Sequence, residues 1–311
     1  MSDTASPDVS PSPARKRVSG PLLILGRVWT LAASTFTQLV RMRTFYFILL
    51  FAFLIAAASN LDLLFTAAQK LRIIKETSLG AMSIFAWLYA IVATAMLIPR
   101  DLEDRTLYTI LAKPVSRFEY LLGKLLGVLL TIGVALLVML ALFTVVLWAR
   151  QQGIIAEQQE FLSNNPRFTA EEVQADIAHL KSQGVGWNLL AATWAIFLKS
   201  SVVVAMTILI STFASSSLFT IIVASTVFLI GHFHKISFST LAQDTGNPVI
   251  EILGKLVVML IPDFRTFNIV DTVAAGTPIA NGVLAAMGIL TAFYLTMYIL
   301  ISLYLFFDKE F

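Results

Sequence analysis

The sequence predicts an all-α, polytopic membrane protein with six transmembrane helices, preceded by an amphipathic interfacial helix and interrupted by a polar helical elbow between spans two and three. Three observations predict it. Of the 311 residues, 58% are hydrophobic and only 13% charged, whereas a water-soluble domain carries about 25% charged residues. Mean hydropathy is +0.82. The apolar residues also gather into runs close to the ~20 residues that a helix needs to cross a hydrocarbon core of about 30 Å. Cysteine is absent, which excludes disulfides, thiolate metal sites and thiol nucleophiles. A net charge of +3 without a long Lys/Arg block points to anionic lipid headgroups and the positive-inside bias, not to nucleic acid.

Residues 1–20, with Pro7, Pro11, Pro13 and many serines, read as a disordered tail. Arg15-Lys16-Arg17 ahead of an apolar stretch resembles the start of a signal peptide. However, Arg27, Ser34, Thr37 and Gln38 interrupt that stretch, and no small-residue cleavage pattern follows. Over 21–43, Leu22, Leu25, Trp29, Ala32, Phe36 and Leu39 recur at helical spacing, with Arg27, Thr30, Ser34 and Arg41 elsewhere on the wheel. That pattern predicts an amphipathic helix lying in the headgroup plane.

The remainder, 44–311, holds six apolar runs at 45–64, 79–98, 120–148, 187–213, 217–233 and 279–307. The fifth is short. A further run at 249–261 is too short to span and stops at Pro262, which suits a re-entrant or interfacial helix. Six spans place both termini on one face. With the N-terminus inside, that face holds Arg15, Lys16, Arg17, Arg27, Arg41, Arg43, Arg100, Arg105, Lys113, Arg117, Lys124 and Lys309, against Lys70, Arg72, Lys75, Arg150, Arg167, Lys181, Lys235, Lys255 and Arg265 spread over longer loops on the other. Charges near span ends orient most strongly, so the bias puts the first face in the cytosol. The connections at 150–186 and 234–278 are then external. Within the first, Thr169 followed by Glu172 is a capping box opening a short amphipathic helix over the outer mouth.

The polar elbow, 99–119, is the most informative stretch. Pro99 marks the end of the second span. Arg100 with Asp104, and Asp101 with Arg105, are opposite charges four apart that support a helix over 100–112. Pro114 disfavours helical geometry at Lys113 and forces a break. Ser116-Arg117-Phe118-Glu119 reads as a second capping box. A helix from there to Trp148 is about 48 Å long at ~1.5 Å per residue, so its first turns project into the cytosol. Gly123 and Gly127 form a G-x-x-x-G spacing that admits another helix at close range. Two helices joined at a Lys-Pro corner make a lever. Charged loops between spans also arise for topology alone, but caps flanking a fixed break exceed what topology needs.

The residues Glu103-x-Arg105-Thr106-Leu107, Leu111-x-Lys113-Pro114-Val115-Ser116-Arg117 and Gly123-Lys124 resemble the signature of type-2 ABC-exporter permeases. Among these the similarity is greatest to the group associated with multicopper-enzyme maturation and gliding motility. It covers the whole six-span layout, with a weaker echo in Ile261-Pro262-Asp263-Phe264 and Phe267-Asn268. The resemblance implies that the elbow is a coupling helix seated in a groove of a separate ATPase subunit. Glu103, Arg105, Thr106 and Leu107 would then lie on the coupling element, and Lys113, Pro114, Ser116 and Arg117 would form its corner. It further implies two ATPase subunits, a second permease copy or homologue, and a bacterial inner-membrane location. No G-x-x-x-x-G-K-[ST] phosphate loop occurs in the chain. Gly123-Lys124-Leu125 and Gly254-Lys255-Leu256 lack its first glycine and its hydroxyl. ATP and Mg are therefore expected on the partner, with no cofactor here.

Lys199 is the one basic residue well inside a run, flanked by Ser200 and Ser201. A charge there costs about 3 kcal/mol on insertion scales and marks a candidate pathway residue. The alternative is a span that starts near Lys199, with the side chain snorkelling outward. His232 and His234, two apart and without carboxylate or thiolate neighbours, make a poor metal site. The nine methionines are scattered and outline no copper path. No Ser/His/Asp set or carboxylate pair stands out, so the chain is not expected to be an enzyme. Two rival readings remain open: a mechanotransmitting or scaffold subunit that carries nothing, and an ATP-independent channel or scramblase.

Overall fold

A computed structural model of the chain describes residues 21–42, 50–51, 54–55, 66–103, 116–164, 169–214, 216–233, 260–277 and 279–308. Among the described residues the fold is all helical, without a strand. In chain order the helices are α1 (Pro21–Arg41), α2 (Ala67–Glu103), α3 (Arg117–Ser163), α4 (Ala170–Ser182), α5 (Trp187–Phe213), α6 (Ser217–His232), a 3₁₀ turn (Phe264–Phe267), α7 (Val270–Ala274) and α8 (Asn281–Asp308).

Four stretches among these residues are long and apolar enough to cross a membrane: Ala67–Leu97, Arg117–Ser163, Ala170–Phe213 and Gly282–Leu305. The third covers both α4 and α5, but the helix breaks between Ser182 and Trp187, and the apolar part is α5. The protein is thus a multi-pass membrane protein. The first expected span, 45–64, is helical at 50–51 and 54–55 and otherwise lies outside the described residues. The fifth, α6, has 16 residues, about 24 Å, and falls short of a full crossing.

α5 is the centre of the bundle. It packs against α8, α2, α3 and α6, and most of its 27 residues are buried. Its apolar residues surround it on every side, as a helix enclosed by others requires. Several of the hydroxyls that interrupt this surface are satisfied within the helix, while that of Ser211 is buried without a hydrogen-bond partner. Thr193 donates to the Leu189 carbonyl at 2.9 Å, and Ser200 and Thr207 donate to those of Ile196 and Val203 at 2.8 Å. No buried hydroxyl among these three therefore needs water or a partner helix.

Two helices run well past the apolar runs. α2 begins at Ala67, twelve residues before the expected 79, because Ala-Ala-Gln-Lys-Leu-Arg-Ile-Ile-Lys-Glu has strong helix propensity. Leu71, Ile74 and Ser78 face inward there. At its far end the helix passes through Pro99 and ends at Glu103. The proline forfeits one backbone hydrogen bond but does not end the element. α3 continues past Trp148 to Ser163, where Asn164 caps it. At 47 residues it is about 70 Å long. The expected external loop is therefore partly helix.

Polar contacts tie these extensions into a cap at one end of the bundle. Lys70 lies 3.7 Å from Glu157, and buried Lys75 donates to the Gln183 carbonyl at 3.1 Å. Gln158 donates to Asp176 at 3.0 Å, and Asn188 reaches the Thr277 carbonyl at 3.4 Å. Buried Gln151 donates to the carbonyls of Leu180 and Lys181 at 2.8 and 3.2 Å, closing the end of α4. Gly184 sits so close to the Gln151 amide that a Cβ there would overlap it. Thr169 and Glu172 form the expected capping box at the start of α4. Gln151→Leu takes the side-chain donor from the Leu180 carbonyl, while the Lys181 carbonyl keeps the Gly184 N–H, and is expected to cost about 1–3 kcal/mol. This should appear as a lowered Tm in detergent, while Gln158→Ala, on a more exposed pair, moves it less.

Candidate functional site

The opposite end of the bundle carries the elbow. α3 starts at Arg117 with Ser116 as its N-cap, in extended geometry (φ −76°, ψ 153°). The Glu119 N–H donates to the Ser116 hydroxyl at 3.2 Å, and the Ser116 N–H donates to the Glu119 carboxylate at 3.0 Å. Two otherwise orphaned donors are satisfied reciprocally, so the start of α3 is fixed in place. Glu119 is itself buried, at 5% exposure, because α1 covers it. The Arg27 guanidinium approaches the same carboxylate at 3.9 Å.

α1 packs against α3. It is stacked lengthwise on α3 over several turns. Arg27 meets Glu119, Leu31 meets Gly123, and Ala32 and Thr35 meet Gly127. The spacing is four residues on both helices, so the register is held from one contact to the next. A Cβ added at Gly123 would fall 2.5 Å from the Leu31 Cβ; at Gly127 it would fall 2.5 Å from the Thr35 Cβ and 2.8 Å from the Ala32 carbonyl oxygen. Only glycine admits that approach. Trp29 and Leu25 remain exposed on the outer side of α1.

Of the residues assigned to the elbow, Glu103 is the last residue of α2, Ser116 caps α3 and Arg117 opens it. Arg105, Thr106, Leu107, Lys113 and Pro114 lie outside the described residues. The elbow thus joins α2 to the α1–α3 pair.

A second constellation lies about midway along α5. Lys199 is the thirteenth residue of α5 and only 6% exposed. Its amine is inside the bundle, which excludes a snorkelling side chain at the edge. The ammonium stands 5.3 Å from the Phe228 ring centroid, within cation–π range. Phe228 in turn stacks on Trp87 (4.5 Å between centroids) and meets Phe264 (4.8 Å) and His232 (5.7 Å). Gly231 allows the Pro262 carbonyl and the Phe264 ring to pass close. Arg265 donates through Nε to the His232 carbonyl at 2.7 Å, and Asp263 accepts the Arg265 N–H at 2.9 Å.

The aromatic shell of Lys199 was not visible to sequence reasoning. Trp87, Phe228 and Phe264 come from three separate segments, and helical periodicity says nothing about which helices meet. The only signal was the Ile261-Pro262-Asp263-Phe264 run, whose Phe264 is fully buried at 0% exposure.

Residues 29–311 match the sequence profile described as ABC-2 family transporter protein. The chain belongs to the ABC-2 transporter family. The match takes in α1 from Trp29 onward, the elbow, the central α5 and the terminal α8 as one unit. Membership makes the chain a permease component of an ABC transporter, a class of proteins that associates with ABC ATPase partners. No curated protein matches the sequence closely enough to add to this.

Proposed function

We propose that this ABC-2 permease is the membrane subunit of an ATP-driven exporter of the cytoplasmic membrane, built from two permease chains and two ATPase subunits. The observation that carries this reading is the fixed corner at Ser116 and Glu119, embedded in a chain that matches the family almost throughout. The 100–117 elbow is the coupling element, with Glu103, Arg105, Thr106 and Leu107 against the ATPase and Lys113, Pro114, Ser116 and Arg117 as the hinge. Closure of the ATPase pair on ATP displaces the elbow. α1 and α3 move together because Glu119 and both glycines bind them, and the path between permease copies changes its access. The two termini are cytosolic, and six spans complete the layout.

The exporter reading is tested by co-expressing the chain with a candidate ABC ATPase subunit from the same genome. The expected result is a stable complex whose ATP hydrolysis is stimulated by cargo. Persistent ion or lipid flux through the purified permease without ATPase would replace it with the channel or scramblase reading. Hydrolysis that drives no transport in vesicles would favour the mechanotransmission reading.

A further inference from the structure

Among the described residues, Lys199 has no ion pair with a carboxylate. Its nearest partner there is the face of Phe228. A buried ammonium is costly, and a ring face offsets only part of the cost. The carboxyl end of α6, close to His232, adds a partial negative charge of about one half. Asp263 is engaged in capping the 3₁₀ turn, where it accepts the Arg265 backbone N–H. Lys199 therefore leaves the cluster with a net positive charge.

The backbone around Lys199 adds an independent observation. α6 stops at His232, and Gly231 abuts Pro262 and the 3₁₀ turn that begins at Phe264. Irregular backbone at membrane depth persists where it is enclosed by protein or lines a cavity, and interrupted helices near the midplane are where transporters hold charged ligands. The His232 Nδ1 is buried beside this break with no hydrogen-bond partner. A lone ammonium, an unused imidazole nitrogen and the Phe228 ring, on which Trp87 and Phe264 pack, thus lie together. The polar groups suit an acidic headgroup, and the rings suit the apolar chain attached to it.

We infer that Lys199, with His232 and the Trp87–Phe228–Phe264 shell, forms a binding site for the anionic headgroup of an amphiphile. The headgroup is a phosphate or carboxylate, and the ammonium supplies the charge it lacks. As a statement about cargo this rests on the permease reading. As a statement about binding it does not, so it is tested on the permease alone.

Trp29, Trp148, Trp187 and Trp194 are all exposed. Replacing them with phenylalanine leaves Trp87, stacked beside the site, as the sole fluorophore. The chain is placed in nanodiscs of phosphatidylcholine doped with brominated phosphatidylglycerol or brominated phosphatidylcholine. Brominated phosphatidylglycerol is expected to quench Trp87 at about tenfold lower mole fraction, the order of one charge-assisted hydrogen bond. Lys199→Met removes the preference and Lys199→Arg retains it; if Lys199→Met does not insert, Lys199→Gln is read the same way. Equal quenching by the two lipids, or a preference unchanged in Lys199→Met, overturns the site. Displacement of the lipid by millimolar inorganic phosphate would overturn the amphiphile and leave a free-anion site. None of these results depends on the ATPase, whose failure to co-purify would count against the exporter reading alone.

Discussion

Gly127→Val is expected to lift α1 from α3 and to destabilise the permease by about 3 kcal/mol, at the upper end of what overpacking costs. The added carbons would meet the Thr35 Cβ and the Ala32 carbonyl oxygen, at 2.5 and 2.8 Å from the Cβ position itself. Neither obstacle is the far end of a flexible side chain, so the helices must separate. Gly123→Ala meets chiefly Leu31 and is expected to cost about 1 kcal/mol, also by overpacking. The chain has no cysteine, which gives a direct readout. Thr35 is 1% exposed and its hydroxyl has no hydrogen-bond partner, so Thr35→Cys places a thiol in the seam without removing a bond. A membrane-permeant maleimide should leave that thiol unmodified in the parent and label it in Gly127→Val. Protection that persists in Gly127→Val would show that α1 is held by something other than the glycine seam.

What the sequence revealed depended on whether the signal was local. The caps at Ser116 and Thr169 follow from residues three apart and occur where the spacing places them. α5 lies over 187–213 as its apolar run indicates, because its ends coincide with Gly186 before it and the extended Ala214 after it. Hydropathy misplaced the ends of α2 and α3 for one reason. It reports where the lipid stops, and Gln, Glu, Ala and Lys carry a helix beyond that point at no cost in propensity. α1 has the composition of a headgroup helix, and Gly123 and Gly127, about ninety residues away, let it pack along α3. The glycine pair announced a close neighbour but not its identity. The surroundings of Lys199 were illegible for the same reason: side chains from α2, α6 and the 3₁₀ turn meet only through the packing order around α5.

Deletion of residues 107–112 is expected to uncouple ATP hydrolysis from transport while leaving membrane insertion intact. The spans on either side keep their own caps and packing. α3 starts at its Ser116–Glu119 box, and Lys70 and Lys75 anchor α2 at the far end. On the proposed reading, the deletion removes Leu107, Ile110 and Leu111, which the sequence pattern assigns to the apolar edge of the coupling element. Coupling between two sites typically amounts to about 1–3 kcal/mol, so cargo-stimulated hydrolysis should fall roughly 5- to 150-fold. Glu103→Gln, at the end of α2, should lie at the lower end of that range. Ser116→Ala should cost about 1 kcal/mol of local stability through the lost cap and reduce coupling in proportion to fraying at α3. The ordering separates a mechanical role from a merely structural one. If deletion and Glu103→Gln both keep full coupled transport in vesicles, the elbow does not carry the ATPase stroke, and α1 with its glycine seam becomes the alternative route for it.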